Sequence, residues 1–318
     1  MEMRQLKVGS TRIVASDIHE YVLVDPDGRA LPPFTPGAHV HVSVPAGGTR
    51  QYSLLNDPAE RDAYRIAIKR ENEGQGGSRS FVDTVSAGDM VEVSAPANDF
   101  QLGQDGERVI LIAGGIGITP ILSMARYLHR TGERPFHMYY LTRDPAQTAY
   151  LDEITSAPFA KNVTIHHDMG DPARSLDLQA LLAEQDGAVL YCCGPTGLLH
   201  AVRAAASHWG RGDVRFEDFG TTPAPQAEDG EGFQVRVAGH EGAFRVPADK
   251  SILEVLNEAG LEMPSSCEAG TCGTCRMRLI EGEADHRDLV LFDDEMEDSI
   301  IICCSRAKSP EITIGFPE

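Results

Sequence analysis

The segment Cys267-Glu268-Ala269-Gly270-Thr271-Cys272-Gly273-Thr274-Cys275 decides how this chain is read. Three thiols at that spacing, with Cys303 farther on, can close around one side of a small inorganic cluster. Small residues between them let the backbone curl and turn its amide N–H groups inward. This is the ligand run of a plant-type 2Fe–2S centre, whose fourth cysteine arrives from downstream. A structural zinc site also takes four thiolates, but it favours two C-x2–4-C pairs. Three clustered ligands and one distant one fit iron–sulfur better. Such a cluster takes electrons singly, so the rest of the chain must be searched for their source.

Composition bounds that search. A chain of 318 residues is long enough for two or three domains. Its 42% hydrophobic content and mixed charges fit an ordinary soluble globular protein. No apolar run approaches a membrane span, and MEMRQLKVGS has no signal-peptide core. The seven cysteines fall in two places, Cys192-Cys193 and the five from Cys267 onward, which argues against a disulfide framework and for a reducing cytoplasm. A net charge of −20 disfavours nucleic acid and anionic membranes, and residues 221–318 carry −12 of it. The densest acidic run, Asp293, Asp294, Glu295, Glu297 and Asp298, reads equally as a solvated loop or a docking surface.

Up to about residue 103 the chain reads as all-β. His39–Val44, Tyr64–Lys69 and Met90–Val93 alternate with the period of half-buried strands, and turn signals separate them, as in a barrel or sandwich. From about 104 to 220, strand and helix alternate. Val109–Ala113, Phe136–Leu141, Val163–His166 and Ala188–Cys193 read as strands, with helices over Pro120–His129 and Thr196–Trp209. That is the pattern of a doubly wound parallel sheet. Residues 221–231 read as a polar, Pro-rich linker. After it come a hairpin (Phe233–Val237, Ala243–Val246), a helix from Ser251 to Ala259 and the cysteine loop, within a last domain over 232–318.

Two further stretches carry chemistry. Arg50-Gln51-Tyr52-Ser53-Leu54 can offer a cation, hydroxyls and an aromatic wall, the needs of a flavin nucleotide, although a surface Arg beside a core Tyr explains it as well. Gly76-Gly77-Ser78 before a short helix over Arg79–Val85 strengthens the ligand reading, because a helix N-terminus attracts anions. Gly114-Gly115-Ile116-Gly117-Ile118-Thr119-Pro120 follows a buried strand and opens a helix; it suits a pyrophosphate and equally a tight β-to-α turn. Cys192-Cys193-Gly194-Pro195 is a second loop of that kind, with Cys192 read as structural.

The combination RQYSL, GGS, GGIGITP, YCCGP and CEAGTCGTC…CCSRA resembles the phthalate dioxygenase reductase family, to which vanillate O-demethylase reductase is also similar. The resemblance covers nearly the whole chain and implies a multidomain fold: an antiparallel β-barrel flavin domain, an α/β doubly wound nicotinamide domain and an α+β β-grasp ferredoxin domain. It implies FMN rather than FAD, NADH as donor, a 2Fe–2S cluster, and a separate Rieske-type terminal oxygenase as acceptor for a monomeric reductase. Its flavin residues would be Arg50, Gln51, Tyr52, Ser53, Ile68, Lys69, Gly76, Gly77, Ser78, Thr119 and Phe219. NADH would meet Gly114, Gly115, Gly117, Thr142, Asp168, Cys193, Gly194 and Pro195. Ser53, Cys193 and Phe219 would stand nearest the reacting atoms, though Phe219 also reads as a core residue at a strand end. Asp168 would favour NADH over NADPH, with a plain turn aspartate as the alternative. Cys267, Cys272, Cys275 and Cys303 would hold the cluster. Cys304 stands where an aliphatic residue is usual and competes with Cys303, although strand alternation over Ile300–Cys303 would put the two on opposite faces. Two rival functions remain: a stand-alone NADH:acceptor reductase, and a zinc-holding scaffold.

Overall fold

A computed structural model describes residues 3–72, 76–210, 212–219 and 232–317. The expected linker, 221–231, lies outside them. The chain divides into two compact units, Met1–Arg215 and Phe216–Glu318.

The first unit opens with β1 (Met3–Ala15), β2 (Ile18–Val24), β3 (His39–Ser43), β4 (Thr49–Ser53), β5 (Ala63–Lys69), α1 (Gly77–Thr84) and β6 (Met90–Ser94). The strands form one antiparallel sheet in the order β4-β3-β6-β1-β2-β5, and its end strands β4 and β5 come into contact, rolling it into a barrel. Alternation explains the burial: Val40 and Val42 of β3, Tyr64, Ile66 and Ile68 of β5, and Val91 and Val93 of β6 point into one apolar core.

The chain continues with β7 (Arg108–Gly114), α2 (Ile118–Thr131), β8 (Phe136–Thr142), α3 (Leu151–Ser156), β9 (Val163–His167), α4 (Leu178–Leu181), β10 (Ala188–Cys193), α5 (Thr196–Ala205) and β11 (Val214–Glu217). The sheet order is β11-β10-β7-β8-β9, and the β7–β8, β8–β9 and β7–β10 pairs are parallel. Chain order reverses beside β7, so the carboxyl ends of β7 and β10 flank a topological switch point. Helix α2 begins two residues before the expected Pro120, and Pro120 therefore sits inside its first turn, where a missing N–H costs nothing. Helix α5 stops at Ala205, short of Trp209. Besides the barrel's own core, a second one spans the boundary expected near residue 103. Ile18, Leu55, Ala67 and Phe100 of the barrel share one hydrophobic cluster with Leu111, Ile121, Leu122 and Tyr191 of the parallel sheet.

The second unit contains β12 (Phe233–Val237), β13 (Phe244–Val246), α6 (Ile252–Glu258), β14 (Arg276–Glu281), β15 (Ala284–Asp285), β16 (Ser299–Ile301), β17 (Arg306–Ala307) and β18 (Glu311–Gly315). Its main sheet runs β13-β12-β18-β14-β16, mixed because β12 and β18 are parallel, and α6 packs on it in a β-grasp arrangement. Helix α6 starts with a full capping box: Ser251 Oγ accepts from Glu254 N at 3.1 Å, and Glu254 Oε2 accepts from Ser251 N at 2.7 Å. β16 ends at Ile301, not at Cys303. Cys303 and Cys304 lie in a turn closed by Ser305 N donating to Ile301 O at 3.0 Å, so strand alternation does not assign their directions.

Removing the Ser251 hydroxyl leaves one of the orphan donors of α6 unpaired, at a cost of about 1 kcal/mol. Ser251→Ala should therefore lower the urea midpoint for loss of iron–sulfur absorbance while leaving loss of flavin absorbance unmoved. An unchanged iron–sulfur midpoint would show that the box adds nothing to this unit.

Candidate functional site

The flavin expectations converge on the mouth of the barrel. Arg50 and Tyr52 leave β4 on one face, and the Arg50 guanidinium lies over the first residue of α1. A Cβ placed on Gly77 would come within 2.8 Å of Arg50 Nε and 3.2 Å of Cζ, so a larger residue would make the arginine shift from this position. Helix α1 is preceded by Gly76 in the left-handed region (φ 75°), has no side-chain cap and carries no acid in its first turn. A cation and uncapped N–H groups thus face the same place, an arrangement suited to a phosphate. The Tyr52 hydroxyl is buried with no hydrogen-bond partner among the described residues, and burial pushes its pKa up to about 12, so it stays protonated. A buried orphan hydroxyl is costly unless a ligand meets it. A flavin nucleotide fits these residues.

Other expected members contribute less directly. Ser53 is buried at the end of β4. Ser78 Oγ accepts from Glu71 N at 3.2 Å, bracing the turn before α1. Lys69 pairs with Glu71 at 2.6 Å, Gln51 is exposed, and the Ile68 side chain belongs to the barrel core, leaving only its backbone for a ligand. Thr119 is buried in the first turn of α2 and donates to Ile116 O at 3.2 Å. Phe219 belongs to the second unit and is 37% exposed, so the core reading does not hold for it.

At the switch point the glycines have a reason the sequence did not show. Cβ atoms on Gly114 and Gly117 would meet the opposite loop, 2.8 Å from Pro195 Cδ and 2.2 Å from Cys193 O. A Cβ on Gly194 would stand 3.0 Å from Gly114 Cα. These three glycines allow the two loops to press together, whereas Gly115, at φ +54°, faces open space. Beneath them, the buried Tyr140 donates its hydroxyl proton to Gly115 O at 3.1 Å. Cys193 is fully buried, and burial pushes the neighbouring Cys192 thiol far above its usual range. At the ends of β8 and β9, Thr142 is buried, while Asp168 is half-buried and accepts from Gly170 N at 2.7 Å through Oδ1.

In the second unit the thiols stand as two pairs. Contact with Cys272 lowers the pKa of Cys267 and raises that of Cys272. Contact with Cys303 raises Cys275. Cys303 is also raised: contact with Cys275 lowers it, but contact with Cys304 and burial outweigh that. Two thiols at each of two places fit a two-iron cluster. Among the described residues no three His, Cys, Asp or Glu side chains surround one point as a single ion requires. The loop's curl comes from Glu268, Gly270 and Gly273 at positive φ, and Ala269 N donates to Cys267 Sγ at 3.4 Å. Cys304 also comes close to the loop: its sulfur lies 2.6 Å from where a Cβ on Gly270 would be. Cys303 is the thiol that contacts Cys275. Sequence reasoning missed Thr148, whose hydroxyl joins Thr142 to His167 at the ends of β8 and β9. Only the mutual nearness of two strand ends reveals it.

Three family models cover these parts in order: an oxidoreductase FAD-binding domain over residues 5–102, an oxidoreductase NAD-binding domain over 111–204, and a 2Fe–2S iron–sulfur cluster binding domain over 235–308. The phthalate dioxygenase reductase of Burkholderia cepacia is 50% identical over 313 residues, covering 98% of this chain and 97% of that protein. The chain belongs to the phthalate dioxygenase reductase family. The vanillate O-demethylase oxidoreductase of Pseudomonas sp. (strain HR199 / DSM 7063) is 41% identical over 96% of this reductase and 98% of its own length. A solved phthalate dioxygenase reductase, described as a modular structure for electron transfer from pyridine nucleotides to [2Fe–2S], superposes with a TM-score of 0.71 at 49% identity, covering 99% of this chain and 98% of that one. The reductase is a flavin-, NAD- and 2Fe–2S-binding oxidoreductase, and no described helix is long and apolar enough to cross a membrane.

Cys267→Ser, Cys272→Ser, Cys275→Ser or Cys303→Ser should abolish or destabilise the 2Fe–2S spectrum while flavin reduction by NADH persists, because the thiols lie in a different unit. Cys304→Ser should keep the cluster. A cluster that survives Cys303→Ser and is lost in Cys304→Ser would reverse the fourth-ligand assignment. In the first unit, Arg50→Ala should increase flavin loss on dilution several-fold, since it deletes a charge-assisted contact. Equal retention would place the phosphate elsewhere.

Proposed function

We propose that this chain is the NADH-dependent reductase component of an oxygenase system, delivering electrons to a separate Rieske-type terminal oxygenase that acts on an aromatic compound or removes an O-methyl group. The observation that carries this reading is the joint placement of three features: an arginine over an uncapped helix N-terminus, a glycine loop at a sheet switch point in the same unit, and two thiol pairs in the other. Bound flavin supplies conversion between a two-electron hydride and single electrons, which neither NADH nor a 2Fe–2S cluster can provide alone.

The roles of the protein's own groups follow from their positions. Arg50 and the first turn of α1 neutralise the flavin phosphate, and Tyr52 offers its proton or lone pair to the bound nucleotide. Ser53 and Thr119 border the flavin ring. Cys193 and the paired loops Gly114–Gly117 and Gly194–Pro195 receive the nicotinamide half of NADH. One cation and one helix N-terminus suit a single phosphate, which favours FMN. Cys267, Cys272, Cys275 and Cys303 hold the cluster. The working divisions are 1–103, 104–220 and 232–318, with 221–231 as linker, in a monomer acting in the cytoplasm, where thiols stay reduced.

Anaerobic mixing with NADH should bleach the flavin first and the cluster afterwards, and adding the terminal oxygenase encoded beside this reductase should couple NADH oxidation to product formation. Efficient turnover with small acceptors and none with a Rieske oxygenase would instead make it a stand-alone reductase. Extraction should yield FMN; native FAD would overturn the flavin assignment. The cluster potential should lie on the order of −400 mV. Asp168→Asn should narrow the preference for NADH over NADPH, expected at roughly tenfold to a thousandfold, mainly by improving NADPH, because a carboxylate repels a 2′-phosphate. An unchanged ratio would reduce Asp168 to a turn residue.

A further inference from the structure

Beyond the ends of β8 and β9, three side chains form a chain of hydrogen bonds centred on Thr148. Its Oγ1 lies 2.8 Å from Asp144 O, 2.7 Å from Thr142 Oγ1 and 3.0 Å from His167 Nε2. Thr148 and Thr142 are both buried, so these bonds form out of competition with water. A hydroxyl has one proton and two lone pairs. A carbonyl oxygen can only accept, so the Thr148 proton goes to Asp144 O. The other two contacts must then be donations to Thr148: from the Thr142 hydroxyl, and from His167 carrying its proton on Nε2. The hydroxyl is thereby saturated.

This clasp ties together two loops. The loop after β8 is held from within by Asp144, whose side chain accepts from Gln147 N at 3.0 Å. The turn after β9 hangs on the same loop, with Asp168 N donating to Thr142 O at 3.3 Å and Met169 N to Arg143 O at 2.7 Å. Met169 adopts φ 57°, a left-handed conformation that a non-glycine residue holds only where its surroundings fix it. The carboxylate of Asp168 thus takes its direction from a turn that Thr148 anchors through Thr142 on one side and His167 on the other.

We propose that Thr148 is a positioning residue for the adenosine end of the nucleotide: the Thr142–Thr148–His167 clasp fixes Asp168 relative to Arg143 and so sets the choice between NADH and NADPH. This rests on the reading of Asp168 as the ribose-facing acid. The proton count adds a second consequence. Thr142 has given its proton to Thr148 and can only accept from a ligand, so it suits a hydroxyl or amide donor and not a phosphate oxygen.

The test is stopped-flow flavin reduction by NADH and by NADPH in holoenzyme carrying Thr148→Val, Thr148→Ser or Asp168→Asn. Thr148→Val keeps the shape and removes the hydroxyl. It should raise the Kd for NADH about threefold to tenfold and narrow the NADH:NADPH ratio, with the limiting rate of reduction unchanged. Thr148→Ser should restore both. Nitrogen-15 NMR of the imidazoles should show His167 with its proton on Nε2 in the parent and Thr148→Ser, and a tautomer mixture in Thr148→Val. If Asp168→Asn narrows the ratio and Thr148→Val does not, the clasp proposal fails while the Asp168 reading stands. If Asp168→Asn leaves the ratio unchanged, the Asp168 reading fails and the proposal falls with it. A limiting rate lowered in Thr148→Val with Kd unchanged would also overturn it.

Discussion

Helix α2 and its grip on the barrel segment just after β4 are the constraint on which the first unit depends. The helix is buried along most of its length between the parallel sheet and the barrel. At its middle, Ser123 Oγ donates to Asn56 O at 2.9 Å and Arg126 reaches Leu55 O at 2.6 Å. Those carbonyls lie just after Ser53 at the end of β4, while Thr119 lies in the helix's first turn. One rigid helix therefore holds the flavin strand and the glycine loop in a fixed relation. Hydride transfer is steep in distance and angle, so a fixed relation is worth more than additional contacts. Ion pairs reinforce the junction: Arg126 and Arg12 both reach Glu153, and Arg130 meets Asp57 at 2.7 Å. Being partly exposed, these pairs add orientation more than stability.

The two loops at the switch point show how packing and binding share the same residues. Gly114, Gly117 and Gly194 are small because the loops touch each other, and a side chain at any of them would hold the loops apart. Gly115 alone keeps its open side. Tyr140 supports the glycine loop from below, donating to Gly115 O and accepting from Ala149 N at 3.1 Å, which links the loop to the segment containing Thr148. The glycine loop and the ends of β8 and β9 are thus braced by neighbouring buried polar groups.

In the second unit the cluster loop gets its shape from three positive-φ residues and from a backbone bond, Leu289 N to Gly270 O at 3.0 Å, that fastens it to the segment leading into the acidic run. Glu295 of that run is half-buried and pairs with Arg276 at 2.8 Å, while Asp293, Asp294, Glu297 and Asp298 are exposed. Part of the acidity therefore shapes this unit, and part of it faces solvent.

The sequence alone determined the order of the parts, because hydrophobic period switches from two to continuous runs near residue 104 and the thiol spacing admits few chemistries. It also singled out Arg50, Tyr52, the glycine loops and the first three cluster thiols as candidates, since each sits in a local pattern whose backbone demands are short-range. Tertiary structure decided the rest. It merged barrel and parallel sheet into one unit, because a shared core is invisible to periodicity. It assigned the switch-point glycines to loop-on-loop contact, placed Cys303 and Cys304 in a turn and not on a strand, and joined Thr142, Thr148 and His167 across two strand ends. Each of these depends on atoms distant in sequence meeting at hydrogen-bond or van der Waals range, a relation that no local pattern encodes.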